Sequence, residues 1–550
     1  MKACFDVVSL QPIEKENAQF ECIVFGETWE DIPDELIDVT YDNVSALNFD
    51  GGYTAFFYDK KEKKSIVFQG CIDLFSMFYT VKDDVIYFSD NWYSLLKYID
   101  EEGCTWNLNA ITDYYDNTWN NIVKYDRSPI NEIMRMDVGK YIIMSDSNNG
   151  YEIKDWFNLN RTNKYIYYKD SLDDFKKEFF SVLDYYLDKC HSKYDSVCLT
   201  TSGGLDCNTI TAEYCKLFPG SRKRIFTSKI NGEKDESELA LKMQDVVDEK
   251  IEVIPISMEN DAFLDRLEMY IKKNLPPRYF NELSEDEICH MLKDSGFNNV
   301  LSGMGAENIF GFFDNEYYYL VRDLFDSYEF SKAYDVFMAA KVSYKGMREA
   351  DIDHHFIRFL NSYFEKKKKG IKPEKSVFDN PYVNVKLPES GSLNIRSWND
   401  AVAFASYSGE LKAMWYDYER NGMNIVFPFA GYKFIELGIK CDPHIFADKV
   451  NKSCLRYSVK GLLPECIANN AKKMSNPGQD YREIVFKKEN YDFIIDFIDK
   501  CDSTIINKEN LLKPVKSGIF GHHEFLSLSL MMFEMIVKRD YGRKINVYQH

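Results

Sequence analysis

The stretch Ser196-Val-Cys-Leu-Thr200 runs directly into Thr201-Ser202-Gly203-Gly204-Leu205-Asp206-Cys207, and no other part of the chain constrains its fold as strongly. A short apolar strand ends in a glycine turn, and a helix-compatible stretch from Cys207 to Leu217 follows. Strand, glycine turn and helix start together form a place for phosphate. Glycine lacks a side chain, so backbone N–H groups can come close to oxygens. The helix N-terminus adds exposed donors and positive partial charge. Asp206 beside such a nest would repel a polyphosphate unless Mg²⁺ bridged the two. A Ser-Gly-Gly turn after a strand is also a common plain turn, and turn chemistry alone leaves both readings open.

Composition narrows the classes of function. The chain has 550 residues, room for two or three domains. Its net charge of −20 argues against a nucleic-acid partner held by phosphate neutralisation. The basic run Lys366 to Lys369 reads as a solvated face. Aromatic residues reach 15%, and they read as packing rather than base-stacking platforms. Thirteen cysteines are an odd number without Cys-x-x-Cys spacing, which favours reduced thiols in a cytoplasm over a disulfide framework or zinc site. The pairs His354-His355 and His522-His523 lack the i, i+4 spacing of helical metal ligands. No apolar run of about 18 residues and no signal-peptide core is found, so a cytoplasmic protein without a membrane span is expected.

The pattern of elements changes along the chain. Residues 1 to about 158 read as mostly β, with strands at 52–58, 65–68, 84–89 and 141–145, the last pairing with a stretch that ends at Trp156. A helix is expected from Trp92 to Tyr98. From Ser171 strands alternate with helices, the mark of a doubly wound α/β domain. Its strands are expected at 196–200, 224–228, 251–256 and 299–301, with long helical stretches over 315–367 and 400–470. The predicted architecture is an α+β N-terminal sandwich followed by a doubly wound α/β domain with a helical C-terminal extension. The polar stretch 158–164 places the boundary near 158–170, giving units of 1–160 and 171–550.

Ligands of such sheets bind at the carboxyl ends of the strands. Two further segments belong there. Asp235-Glu236-Ser237-Glu238 follows the second strand, and its acids suit a helix start with or without a ligand. Leu301-Ser-Gly303-Met304-Gly-Ala-Glu307-Asn308-Ile-Phe-Gly311 again sets glycine after an apolar strand. Glu307 either caps a helix or shares a metal with Asp206.

The first loop is not of the Walker type, because no Gly-Lys-Ser/Thr closes it. It resembles the Ser-Gly-Gly-x-Asp-Ser loop of ATP pyrophosphatases, with Cys207 at the last serine. In order and spacing, the three segments resemble the synthetase domain of the asparagine synthetase family. Asn421 to Phe429 looks like that family's next block, Lys452-Ser-Cys-Leu-Arg456 fits its Lys-x-x-Leu-Arg, and its catalytic lysine falls at Lys472. The stretch from Phe68 to Ile99, Gly139-Lys-Tyr-Ile and Asp155-Trp156 resemble its first domain, which is a glutaminase of the Ntn-hydrolase type. The resemblance implies ATP on Ser202, Gly203, Gly204, Leu205, Asp206, Cys207, Ser228 and Gly303, with Mg²⁺ on Asp206 and Glu307. It also implies Lys472 as the catalytic group. Lys452 and Arg456 either hold pyrophosphate or form structural salt bridges.

The departures from the family pattern carry as much information. The glutaminase nucleophile is a cysteine at the mature N-terminus. Position 2 is Lys2, and Cys4 is internal unless residues 1–3 are removed. The family's Arg-Asp pair is Gln69 and Gly70, and a later glycine is Asp73. A degenerate glutaminase that releases no ammonia is therefore expected, as in β-lactam synthetases and lasso peptide macrolactam cyclases, which the chain most resembles. Met304 stands where relatives have a base or its partner, and a thioether accepts no proton at neutral pH. Asn424, Val426 and Gly431 replace polar residues of the downstream block, so the pocket for free aspartate is expected to be lost. These residues point to an ATP-dependent, AMP-forming ligase that makes an amide through an acyl-adenylate. Its substrate would be a carboxylic acid or peptide, and ring closure would involve a precursor peptide with an associated protease or leader-binding protein. An amidotransferase or intermolecular ligase is the second reading, and a catalytically silent scaffold the third.

Overall fold

A computed structural model describes residues 2–6, 12–29, 50–72, 74–75, 77–100, 103–116, 128–145, 148–155, 166–167, 169–230, 236–256, 263–273, 288–289, 292–294, 296–310, 321, 324–342, 357, 360–361, 380–387, 409–442, 445, 452–470 and 488–547. Two sheets occupy the N-terminal portion. One has four strands in the order β1 (Lys2–Phe5), β7 (Val85–Ser89), β6 (Phe78–Lys82), β8 (Met134–Arg135). The other has six, in the order β10 (Asn148–Asp155), β9 (Lys140–Ser145), β5 (Lys64–Gln69), β4 (Gly51–Asp59), β3 (Phe20–Thr28), β2 (Ile13–Glu16). All neighbours in the six-stranded sheet are antiparallel.

Alternation along β3 explains how that sheet is covered on both sides. Cys22 and Val24 join Tyr53, Phe57 and Phe68 in one cluster, whereas Phe25 belongs to another with Val67, Ile142 and Met144. This second cluster also takes in Ile86 and Phe88 of β7, so the two sheets face each other across it. Phe5 of β1 is wedged between them, 5.0 Å from the ring of Phe88 and 4.9 Å from that of Phe56. The expected strands at 52–58, 65–68, 84–89 and 141–145 are present within a residue or two. The 3₁₀ helix Trp92–Tyr98 lies where a helix is expected.

The C-terminal portion is built on a five-stranded sheet in the order β13 (Ile251–Ile256), β12 (Arg222–Ile230), β11 (Ser196–Thr200), β14 (Asn299–Leu301), β15 (Asn424–Val426), parallel throughout. Period-two burial sorts its side chains. Val197, Leu199, Ile225, Ile251 and Leu301 point into a cluster with the long helix Leu172–Lys193. Cys198, Phe226, Ile254 and Val300 point the other way, into the cluster already shared by the two N-terminal sheets. One apolar core thus joins the N-terminal sheets to one face of the parallel sheet.

Strand order places the site. From β11 the chain moves outward through β12 and β13, then returns to the other side of β11 for β14 and β15. The topological switch lies between β11 and β14, whose following loops open into one crevice. The fifth strand corrects the expectation of unbroken helix over 400–470. Asn424–Val426 has only three residues, between the left-handed turn at Gly422 (φ +67°) and Pro428. A run that short carries no period to tell strand from helix. Among the described residues, helix does cover Gly409–Arg420, Tyr432–Ile439 and Ser453–Ser458.

Helices at the C-terminal end pack back on the N-terminal portion. Phe533 of the helix His522–Tyr541 lies 5.0 Å from the ring of Trp92 and 6.0 Å from that of Trp106. The hydroxyls of Tyr115 and Ser527 hydrogen-bond at 2.7 Å. No helix among the described residues is long and apolar enough to cross a membrane. All thirteen cysteines are free thiols, and most are buried.

One pair of acids, buried Glu213 and half-buried Asp184, leaves a pH signature. Asp184, in Leu172–Lys193, and Glu213, in Asp206–Leu217, each keep one buried carboxylate oxygen without a hydrogen-bond partner. Burial first, and the Glu213 charge second, push the Asp184 carboxyl up to about 6. The group ionises near 3.9 when unfolded. The folded state therefore binds the proton more tightly, and stability rises as pH falls from 7 towards about 4.5. Asp184→Asn mimics the protonated form. It should raise the melting temperature by about 2 °C at pH 7.5 and change it little at pH 5, as followed by thermal denaturation at both values.

Candidate active site

The β11 loop is folded by a residue that sequence reasoning did not single out. Asn208, fully buried in the first turn of the helix Asp206–Leu217, donates its amide to the carbonyls of Ser202 (2.6 Å) and Gly204 (2.7 Å). Gly204 N–H in turn donates to Ser202 Oγ at 3.1 Å. Leu205 is buried in the core and anchors the loop from below. The only available signal was an asparagine early in a helix, a residue type that prefers bonding to nearby backbone. Gly203 is backed by Glu236 of the Asp-Glu-Ser-Glu segment. A Cβ on Gly203 would lie 3.1 Å from the Glu236 carboxylate. Asp235 lies outside the described residues.

The second loop meets the first as backbone against backbone. A Cβ on Gly303 would sit 2.2 Å from Cys207 N and 2.4 Å from the carbonyl carbon of Asp206. Only glycine permits that approach. It sets the helix Ala306–Phe310, with Glu307 in its first turn, beside the start of the helix that carries Asp206. Each carboxylate sits at the positive end of its own helix.

Both acids converge on one cation, Lys452. Its ammonium is paired with Asp206 Oδ2 and lies 4.0 Å from Glu307 Oε2. Burial alone would lower the Lys452 pKa, but the charges of Asp206 and Glu307 outweigh it and leave the pKa raised, so the amine stays protonated at neutral pH. Its backbone is left-handed (φ +53°), a conformation that costs energy in a non-glycine residue. Asp206 Oδ1 is buried, with no hydrogen-bond partner. Cys207 stays a thiol: burial pushes its pKa up, against hydrogen bonds from Thr200 and the Gly303 backbone.

Arg456 does not share the direction of Lys452. Its guanidinium donates to the carbonyls of Ala468 (2.7 Å) and Asn470 (2.9 Å), so these contacts hold protein backbone rather than phosphate. Asn470, which no sequence signal picked out, donates its own amide to Gly203 O at 3.1 Å. Arg456 thus ties the segment after the helix Glu465–Ala468 to the glycine loop. Lys472 lies outside the described residues. Ser228 is exposed in the last third of β12. Met304 packs against the core cluster, and the side chain of Asn308 is outside the described set. Val426 is in the core, Asn424 bonds to Asn299, and the space beside Gly431 is filled by the ring of Tyr186, 2.0 Å from an ideal Cβ.

The sequence profile described as asparagine synthase matches residues 187–484, which spans all five parallel strands and both loops. The chain belongs to the asparagine synthase family. No curated protein matches it. Asparagine synthase domains mark ATP-dependent ligases that form amide bonds, and the family uses ATP with Mg²⁺. The donor set here fits that ion. Two carboxylates already face one positive charge, and Asp206 Oδ1 is left with an unused lone pair. Among the described residues, no group of three or more His, Cys, Asp or Glu side chains could hold a metal by itself. Phosphate oxygens and water would have to complete the coordination of Mg²⁺, as is usual for that ion.

Three substitutions test this geometry. Gly303→Ala should weaken ATP-dependent turnover at least tenfold and lower thermal stability, because backbone atoms on both sides must move. Gly204→Ala should leave thermal stability within about 1 °C of wild type, since its Cβ would meet only the rotatable Ser202 Oγ at 3.3 Å. Lys452→Met leaves Asp206 and Glu307 facing each other without a cation. Mg²⁺ should then raise the melting temperature several-fold more in the variant than in wild type, and an equal response in a thermal-shift assay would remove Lys452 from the cation position.

Proposed function

We propose that the protein activates a carboxylate as its adenylate and joins it to an amine of the same substrate, closing a macrolactam in the manner of lasso peptide cyclases. The observation that carries this reading is the convergence of Asp206 and Glu307 across two glycine loops at the switch point of a parallel sheet. In the first step a carboxylate oxygen attacks the α-phosphorus of ATP and pyrophosphate leaves. In the second the amine attacks the acyl carbon and AMP leaves. Ser202, Gly203, Gly204, Leu205 and the first turn of the following helix would hold the phosphates. Asp206 and Glu307 would hold Mg²⁺, which neutralises phosphate charge when bound. Lys472 would stabilise the oxyanion of the tetrahedral intermediate. The deprotonated amine is not made by Met304, whose thioether packs in the core.

The N-terminal portion supports an internal amine source rather than ammonia from glutamine. We assign it, residues 1–160, as a degenerate glutaminase of Ntn-hydrolase ancestry, with 171–550 as the synthetase unit. Cys4 lies within β1, opposite Tyr87, and its neighbours Lys2 and Ala3 are paired with Val85 and Ile86 in the same strand, which holds Cys4 inside the sheet. Gln69 accepts from Thr54 Oγ1 (2.6 Å) and donates to Phe75 O (2.6 Å), so its amide is engaged inside the core. Val426 is in the core and the Tyr186 ring fills the space beside Gly431, so neither position offers a polar group to a free aspartate, which leaves a precursor peptide as the proposed substrate.

The test is pyrophosphate release from ATP and Mg²⁺ with candidate peptides, together with mass spectrometry of the peptide for loss of one water. Asp206→Ala should lower release by about a hundredfold or more. Lys472→Ala should suppress amide formation more than adenylate formation. Ammonia released from glutamine by the purified protein would overturn the assignment of the N-terminal portion.

A further inference from the structure

Asp50, at the edge of β4, is a buried carboxylate with no role in the chemistry above, yet it reaches across to the synthetase portion. Its Oδ1 accepts the N–H of Tyr432 at 3.0 Å, and its Oδ2 accepts the hydroxyl of Tyr186. That hydroxyl also accepts the N–H of Lys433 at 2.9 Å. The first two N–H groups of the helix Tyr432–Ile439 are thereby satisfied, one directly and one through Tyr186. The residue at the N-cap, Gly431, has no side chain to do this, and the Tyr186 ring fills the space one would need. A negative charge at this end of a helix is favourable, and its burial demands these donors.

The helix so held packs against an element of the candidate site. Phe434 lies 5.9 Å from the ring of Phe310, in the helix that carries Glu307, and 5.1 Å from that of Phe429. Just before it, Ala430 N and the Phe429 carbonyl carbon lie 3.3 and 3.5 Å from an ideal Cβ on Gly305. The helix Ala306–Phe310 therefore packs on the helix whose start Asp50 fixes, and Gly305 seats on the two residues Phe429 and Ala430 just ahead of that start.

We propose that Asp50 is a positioning residue for the nucleotide site, so that the N-terminal portion completes the synthetase by bracing the helix on which Glu307's own helix rests. This rests on the function assigned above only in naming the site's ligand. The coupling itself is a property of the ligand-free protein.

Hydrogen exchange by mass spectrometry on the full chain, without nucleotide, is the test. Asp50→Asn and the milder Tyr186→Phe should both speed exchange at 432–439 and also at 306–310. Faster exchange confined to 432–439, or no change in either, overturns the proposal. Tyr186→Phe removes one hydroxyl and keeps the ring, so it carries the test if Asp50→Asn does not fold. In the pyrophosphate assay, Asp50→Asn should raise KM for ATP about tenfold while kcat stays within about threefold. An unchanged KM also overturns it. A wild-type protein that never releases pyrophosphate would sink the assigned function and leave the exchange result to stand by itself.

Discussion

The close approach of Gly303 to the first peptide of the helix Asp206–Leu217 is the contact on which the rest of the site depends. Two loops that leave adjacent parallel strands would ordinarily be held apart by the side chains between them. Here nothing intervenes, and the starts of two helices share one crevice. Two carboxylates so placed repel each other, and their attraction to a common cation offsets that repulsion. In the ligand-free protein the cation is Lys452, which adopts an unfavourable backbone conformation in the process.

Around this contact the molecule is organised by alternation along the strands. The face of the parallel sheet that includes Val197 and Leu199 packs on the helix Leu172–Lys193. The opposite face, with Cys198 and Phe226, merges into the core of the N-terminal sheets. Each portion therefore covers apolar surface the other would expose. The apolar contact alone ties the two portions together, and Asp50 adds a polar tie to it.

Much of this was legible in the residues. Ser202-Gly203-Gly204 and Gly303 marked two turns after apolar strands, and the backbone contact at Gly303 gives the reason for glycine there. The four strands at 196–200, 224–228, 251–256 and 299–301 stood out as short apolar runs bounded by turns. What the sequence hid was of two kinds. Three-residue β15 is too short to show a period. Asn470, Tyr186 and Asp50 act through partners from 136 to 382 positions away, and no local pattern encodes a long-range hydrogen bond. Lys452 and Arg456 show the same limit. Spacing of four suggested a shared helical face, but Lys452 is the cap rather than part of the helix, and the two side chains part company.

The bond between Tyr115 and Ser527 has a bearing on biogenesis. These residues are 412 positions apart in the chain. At ordinary translation speeds, about 20 to 80 s pass between the emergence of the two partners. Through that interval the aromatic surface of Trp92, Trp106 and Tyr115 has no C-terminal helix to cover it. Full burial of the early aromatic residues therefore waits until synthesis is nearly finished.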